Sequence, residues 1–157
     1  MDETTKIKTR LVSTLKRKGG EGEYVRLYDH LEPWQKDFLT TEMPLQEKEL
    51  PVIGGIEGQE RWFLITTQRI AWRLKDSMQS IPIDQVSEAF IDFNSLSSGR
   101  TKLETEELRI TTENGKRYTL LIEKGSPLIG VWNVLKSIGF RNRKNPMLSP
   151  STNHTEP

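Results

Sequence analysis

The sequence has no cysteine and only two histidines, His30 and His154. Without thiols there is no disulfide, no thiolate metal site, no iron–sulfur cluster and no cysteine nucleophile. Two histidines, one near each end, do not assemble a histidine metal site or a nucleophile–histidine–acid arrangement. Long apolar runs are missing too, and no stretch approaches the ~18 residues that cross a bilayer. The opening residues, MDETTKIKTR, are charged and lack the apolar core of a secretory signal, so a cytoplasmic protein is expected. Apolar residues make up 34% of the 157, and 11 glycines add little. That is somewhat below the roughly 45–50% of an ordinary globular domain, which predicts one compact core with polar ends. A phosphate-cradling loop is absent as well, because GGIEG at 54–58 lacks the lysine and the following helix of a P-loop and reads as a hairpin turn.

What is present is charge, unevenly placed. The net charge is +1, but residues 1–20 carry an excess of Lys and Arg and residues 21–50 an excess of Asp and Glu. Such blocks either pair with each other, remain solvated, or meet a charged partner. A dedicated nucleic-acid binder would have a strongly basic domain, so nucleic acid is not an expected partner.

The apolar spacing divides the chain. Ile7, Leu11 and Leu15 recur at i, i+4 and i+8, which predicts a helix over 4–18 with Thr4 or Thr5 as cap and Gly19-Gly20 as stop. Tyr24, Leu27, Tyr28 and Leu31 predict a second helix over 21–31, and Pro33 sits well at the start of another carrying Trp34 and Phe38. From about residue 50 the period becomes two. Trp62, Leu64 and Thr66, then Ile70, Trp72 and Leu74, mark two strands joined by Thr67-Gln68. Shorter strands follow at 80–83, 85–93, 106–112 and 117–122, the last two joined by the Asn114-Gly115 turn. The period then returns to helical: Ser126-Pro127 caps a stripe of Leu128, Val131, Trp132, Leu135 and Ile138, and Gly139 fits its end. Consecutive hairpins without intervening helices exclude a parallel sheet. A small sandwich or barrel would have an open end that the last helix can plug.

Residues 50–140 resemble the bacterial pleckstrin-homology-like (PH/GRAM-like) domains. The resemblance lies in FLITTQRIAWRLK (Phe63–Lys75), in SIPIDQVSEAFI, and in the helix that begins at Ser126 and carries Trp132. It implies an α+β, mainly β fold: a seven-stranded antiparallel barrel capped by the C-terminal helix and preceded by N-terminal helices. The expected divisions are an N-terminal helical segment (1–45), a PH-like domain (46–140) and a disordered tail (141–157). The resemblance also implies binding of lipid or protein rather than catalysis. Its lipid-binding members carry several Lys or Arg in the loop between the first two strands. Here that loop would be Gly54–Gln59, with one acid and no base.

Two binding readings follow. In the first, the chain is a non-catalytic protein-binding module, an inhibitor or an immunity protein for a toxin being one form. Its acidic segment (Glu42, Glu47, Glu49), the aromatic Trp34 and the cations Arg69, Arg73, Lys75, Arg100 and Lys102 would meet another protein, a basic one in the electrostatic version. In the second, the basic helix (Lys6, Lys8, Arg10, Lys16, Arg17, Lys18) lies on anionic lipid with Ile7, Leu11 and Leu15 inserted. No catalytic residue, metal or cofactor is expected. Glu104, Glu106 and Glu107 read as a solvated strand entry, Trp72 and Trp132 as core anchors, and Asn153-His154-Thr155 as a chance glycosylation pattern. The sequence leaves the oligomeric state open.

Overall fold

The computed structural model describes residues 2–91 and 105–144. Three helices surround two antiparallel sheets. The chain runs α1 (Glu3–Lys18), β1 (Val25–Leu27), a short 3-10 turn, α2 (Pro33–Glu42), β2 (Pro51–Gly58), β3 (Arg61–Thr66), β4 (Arg69–Leu74) and β5 (Ser77–Pro82). A second 3-10 turn leads to β6 (Val86–Phe90), β7 (Glu107–Thr112), β8 (Arg117–Leu121) and α3 (Ser126–Lys144). The five-stranded sheet is ordered β1-β2-β3-β4-β5 and the three-stranded sheet β6-β7-β8.

The class is α+β, but the expected seven-stranded barrel does not form. The free edge of β2, which a closing strand would need, is taken by β1, with Val25 opposite Gly55 and Leu27 opposite Ile53. At the other edge, Pro82 and the 3-10 turn Ile83–Gln85 end β5 before β6 begins, and the two strands belong to different sheets.

β1 is itself a departure from the expected helix over 21–31. Tyr24, Leu27, Tyr28 and Leu31 have helical spacing, but Val25 and Leu27 also have the spacing of a strand, and side-chain acceptors decide it. Glu123 accepts from the backbone N–H groups of Glu23, Tyr24 and Val25, each at 2.8 Å, and Glu21 accepts from Leu27 N–H at 2.8 Å. The Val25 and Leu27 N–H groups, which a helix over 21–31 would bond to the Glu21 and Glu23 carbonyls, are thereby withdrawn from helical bonding.

Two apolar layers hold the five-stranded sheet. One face joins α1, α3 and the second sheet in the main core, which includes Leu11, Leu15, Ile53, Ile65, Trp72, Ile110, Val131 and Leu135. On the other face α2 lays Leu39 over Ile56, Trp62, Leu64 and Ala71, and the Phe38 ring meets Trp62 edge-on at 6.4 Å. Burial on both faces explains why β2 and β3 read as nearly continuous apolar runs. It also explains GGIEG, which is strand rather than turn. A Cβ on Gly54 would stand 2.9 Å from Leu39 Cδ1, so the missing side chain lets α2 sit close to the sheet.

The helix ends differ in detail from the sequence reading. Asp2, not a threonine, caps α1 by accepting from Thr5 N–H at 2.8 Å. α2 opens with a capping box in which Glu32 N–H donates to Gln35 Oε1 at 2.8 Å. α3 does not stop at Gly139. A Cβ there would lie 2.5 Å from the Ser87 carbonyl, so this glycine permits close helix–strand packing and the helix continues to Lys144. Residues 141–144, placed by sequence in the tail, therefore belong to α3. The expected loop over 94–101, Arg100, Lys102, Glu104 and the tail from 145 onward lie outside the described residues.

Candidate binding groove

α1 reaches α3 at a crossing of two glycines, where a Cβ on Gly19 would come within 2.4 Å of Gly130 Cα. This contact brings the last turn of α1 alongside the middle of α3 and one edge of the second sheet. Between them lies an open groove of about 620 Å³. Arg17 and Lys18 line it from α1, Glu88 and Phe90 from β6, and Lys136, Phe140 and Arg143 from α3.

The β6 edge beside the groove is closed by α3. Trp132 Nε1 donates to the Ala89 carbonyl at 3.0 Å, Asn142 Nδ2 donates to the Val86 carbonyl at 2.8 Å, and Arg143 donates to the Ser87 carbonyl. α3 thus satisfies the β6 carbonyls, and an added strand would have to displace it. The walls are cationic and aromatic. Lys136 Nζ lies 4.4 Å from the Trp132 ring centroid and Lys144 Nζ 5.4 Å from that of Phe140, whose side chain is 54% exposed. Among the described residues, Arg17, Lys18, Lys136 and Arg143 make no ion pair, and Glu88 is the one acid lining the groove.

The acidic segment has the opposite character. Glu49 is buried, and Arg69 binds it through Nε at 2.8 Å and a terminal nitrogen at 3.1 Å. Thr66 Oγ1 and Gln46 N–H also donate to it, at 2.5 and 2.8 Å. Burial by itself would raise the Glu49 carboxyl, but these donors outweigh it and hold the group below the usual carboxylate range. Glu42 faces Arg73 at 3.6 Å, and Asp29 faces Lys8 at 3.2 Å. Glu21 is held low in the same way: burial opposes ionisation, and Leu27 N–H, His30 and Arg26 overcome it. Much of the acid excess read in the sequence is therefore answered inside the molecule.

The sequence-derived candidates separate accordingly. α2 covers the face of β4 that carries Arg69 and Arg73, and both clasp the 42–49 connection; Arg69 also donates to the Pro44 carbonyl at 2.7 Å. Lys75 lies in the β4–β5 turn with a left-handed φ of 57°. Glu47 is exposed, and Trp34 is 62% exposed on α2 and does not line the groove. In the basic helix, Lys6 and Lys16 are exposed, Arg10 is half-buried with an unpartnered Nε, and Arg17 and Lys18 enter the groove. Leu11 and Leu15 are fully buried and Ile7 packs against the core, which corrects the reading that these three insert into lipid.

Trp72 is buried, whereas Trp132 is half-buried and donates to the Ala89 carbonyl. His30 pairs with Glu21 at 2.8 Å, Glu106 with Arg61 at 3.3 Å and Glu107 with Arg109 at 3.5 Å. Among the described residues no group of three or more His, Cys, Asp or Glu is arranged to hold a metal, and no helix is long and apolar enough to cross a membrane. The sequence reading missed Lys136, Phe140 and Arg143. Their spacing at i, i+4 and i+7 opposite the apolar stripe was the available signal.

No family model matches this chain, and no curated protein matches it significantly.

Proposed function

We propose that this protein is a non-catalytic protein-binding module whose groove between α1, β6 and α3 takes an acidic segment bearing an apolar side chain. One observation carries the reading. Four cations that make no ion pair among the described residues, Arg17, Lys18, Lys136 and Arg143, line a concave site with an exposed phenylalanine, Phe140. Such cations attract carboxylates, and the exposed Phe140 ring offers apolar contact. The covered edge of β6 favours recognition through side chains over strand addition. The resemblance to pleckstrin-homology-like domains supports binding in place of catalysis, and an inhibitor or immunity protein is one biological form of it. Docking of α1's apolar side in the core argues against a role in which that side enters lipid.

The test is a titration of a fluorescent peptide rich in Asp and Glu with a central Leu or Phe. Saturable one-to-one binding that weakens with salt, and about tenfold or more in Lys136→Glu/Arg143→Glu, supports the proposal. Absence of binding, or equal affinity in the charge-reversed variant, overturns it. Retention on vesicles containing phosphatidylserine with no peptide binding would replace it with a lipid role.

A further inference from the structure

A second cavity, of about 190 Å³, lies where α1, the 3-10 turn before β6 and α3 meet, and it shares no lining residue with the groove. Asn142 on its wall donates to the Ile83 and Val86 carbonyls at 3.0 and 2.8 Å, which pins the turn to α3. The apolar wall comes from Ile7, Leu11, Ile83 and Ile138, which belong to the main core or pack against it. The charged groups are two guanidiniums and two carboxylates. Arg10 and Glu3 come from α1, Arg141 from α3 and Asp84 from the turn.

These charges share the cavity without pairing. Arg10 Nε is buried and has no hydrogen-bond partner. Among the described residues, neither Arg10 nor Arg141 makes an ion pair with Glu3 or Asp84. Asp84 Oδ1 instead receives Gln85 Nε2 at 3.5 Å. Burial, and then the charge of Arg141, holds the Arg10 guanidinium below the ordinary arginine value, while Glu3 acts in the opposite sense. The two cations are thus close enough to repel, and Glu3 is close enough to attract without touching. A buried charged donor without an acceptor costs free energy, and a carboxylate lodged against both guanidiniums supplies the acceptor.

We infer that this cavity binds an aliphatic α-amino acid as its zwitterion. The carboxylate meets Arg10 and Arg141, the ammonium meets Glu3 and Asp84, and the side chain lies on the isoleucines. The four charges of the cavity cancel, so a ligand with both signs and no net charge suits it. A phosphate dianion would be drawn by the arginines and repelled by the two carboxylates. An apolar wall with a few convergent polar groups is the common build of a small-molecule site. The volume, that of about six waters at ~30 Å³ each, suits one small molecule and not a peptide segment. This inference does not rest on the groove.

Isothermal titration of the natural chain tests it. L-leucine is expected to bind saturably at one site. Isocaproate lacks the ammonium, isoamylamine lacks the carboxylate and glycine lacks the side chain, and each should bind about tenfold or more weakly. Arg141→Gln and Asp84→Asn should each weaken leucine about tenfold or more, with an unchanged circular dichroism spectrum. Absence of saturable leucine binding overturns the proposal. So does an analogue that binds as tightly as leucine, a leucine affinity unchanged in both variants, or saturable binding of inorganic phosphate in place of leucine. The analogue series uses the natural chain, so it decides even if a variant does not fold.

Discussion

Arg69 Nε stands 2.8 Å from Glu49 Oε2, and the Glu49 side chain has no solvent exposure. The pair ties the connection after α2 to the start of β4. Removing the cation leaves a buried carboxylate with only neutral donors. Arg69→Met is expected to destabilise the fold by about 3–5 kcal/mol. Glu49→Gln, which keeps the shape and some hydrogen bonds, should cost less. Urea denaturation of both variants measures the difference.

The same pair sets a pH dependence. Glu49 and Glu21 titrate lower in the folded chain than the ordinary glutamate value of 4.5. A depressed carboxyl contributes stability that is fully present above its unfolded value and is lost as pH falls through the folded one. Stability should therefore decline from about pH 4.5 downward, and Glu49→Gln should flatten that decline. Thermal unfolding followed between neutral pH and the acid limb gives the slope.

α2 is held mainly by Leu39, fully buried against Trp62 and Leu64. Leu39→Ala should cost about 2–5 kcal/mol and increase solvent exposure of Trp62. Tryptophan emission during denaturant unfolding reports both effects.

The α1–α3 crossing depends on a missing side chain. A methyl group on Gly19 would meet the backbone of Gly130 and Ser126 at 2.4–2.5 Å. Backbone cannot yield as a flexible side chain does, so Gly19→Ala should destabilise by about 1–3 kcal/mol. Binding of the acidic peptide should weaken along with it, because this crossing shapes the groove. Paired melting and titration experiments test the coupling.

Deleting residues 1–20 should unfold the chain. The deletion removes Leu11 and Leu15 from the main core. The expected outcome is loss of the cooperative thermal transition, read by circular dichroism. By contrast, Phe140→Ala changes an exposed ring and should alter stability by no more than about 0.5 kcal/mol while weakening peptide binding.

Local order was plain in the sequence wherever one periodic pattern met a clear end signal. α1, the β3–β4 hairpin, the Asn114-Gly115 turn and the start of α3 all follow from spacing, turn residues and caps. The pattern misled where an apolar run suits two structures. Tyr24, Leu27, Tyr28 and Leu31 have helical spacing over 21–31, yet Glu123 and Glu21 take the Val25 and Leu27 N–H groups and leave a strand. Gly54 and Gly139 looked like turn and stop, but each permits an element distant in sequence to approach, Leu39 in one case and Ser87 in the other.

The candidate site divides along the same line. The sequence by itself determined the absence of thiol chemistry, the basic last turn of α1, the amphipathic final helix and the acid excess of residues 21–50. Tertiary structure alone decided which charges answer one another. Glu49 found Arg69 and Glu42 found Arg73, while Arg17 and Lys18 converged with Lys136 and Arg143 in one groove. Tertiary structure also left the sheets open by adding β1 at one edge and ending β5 before β6. The physical reason is common to all of these. Periodicity and capping act over a few residues of chain, whereas charge pairing and edge pairing depend on distances in space that only packing sets.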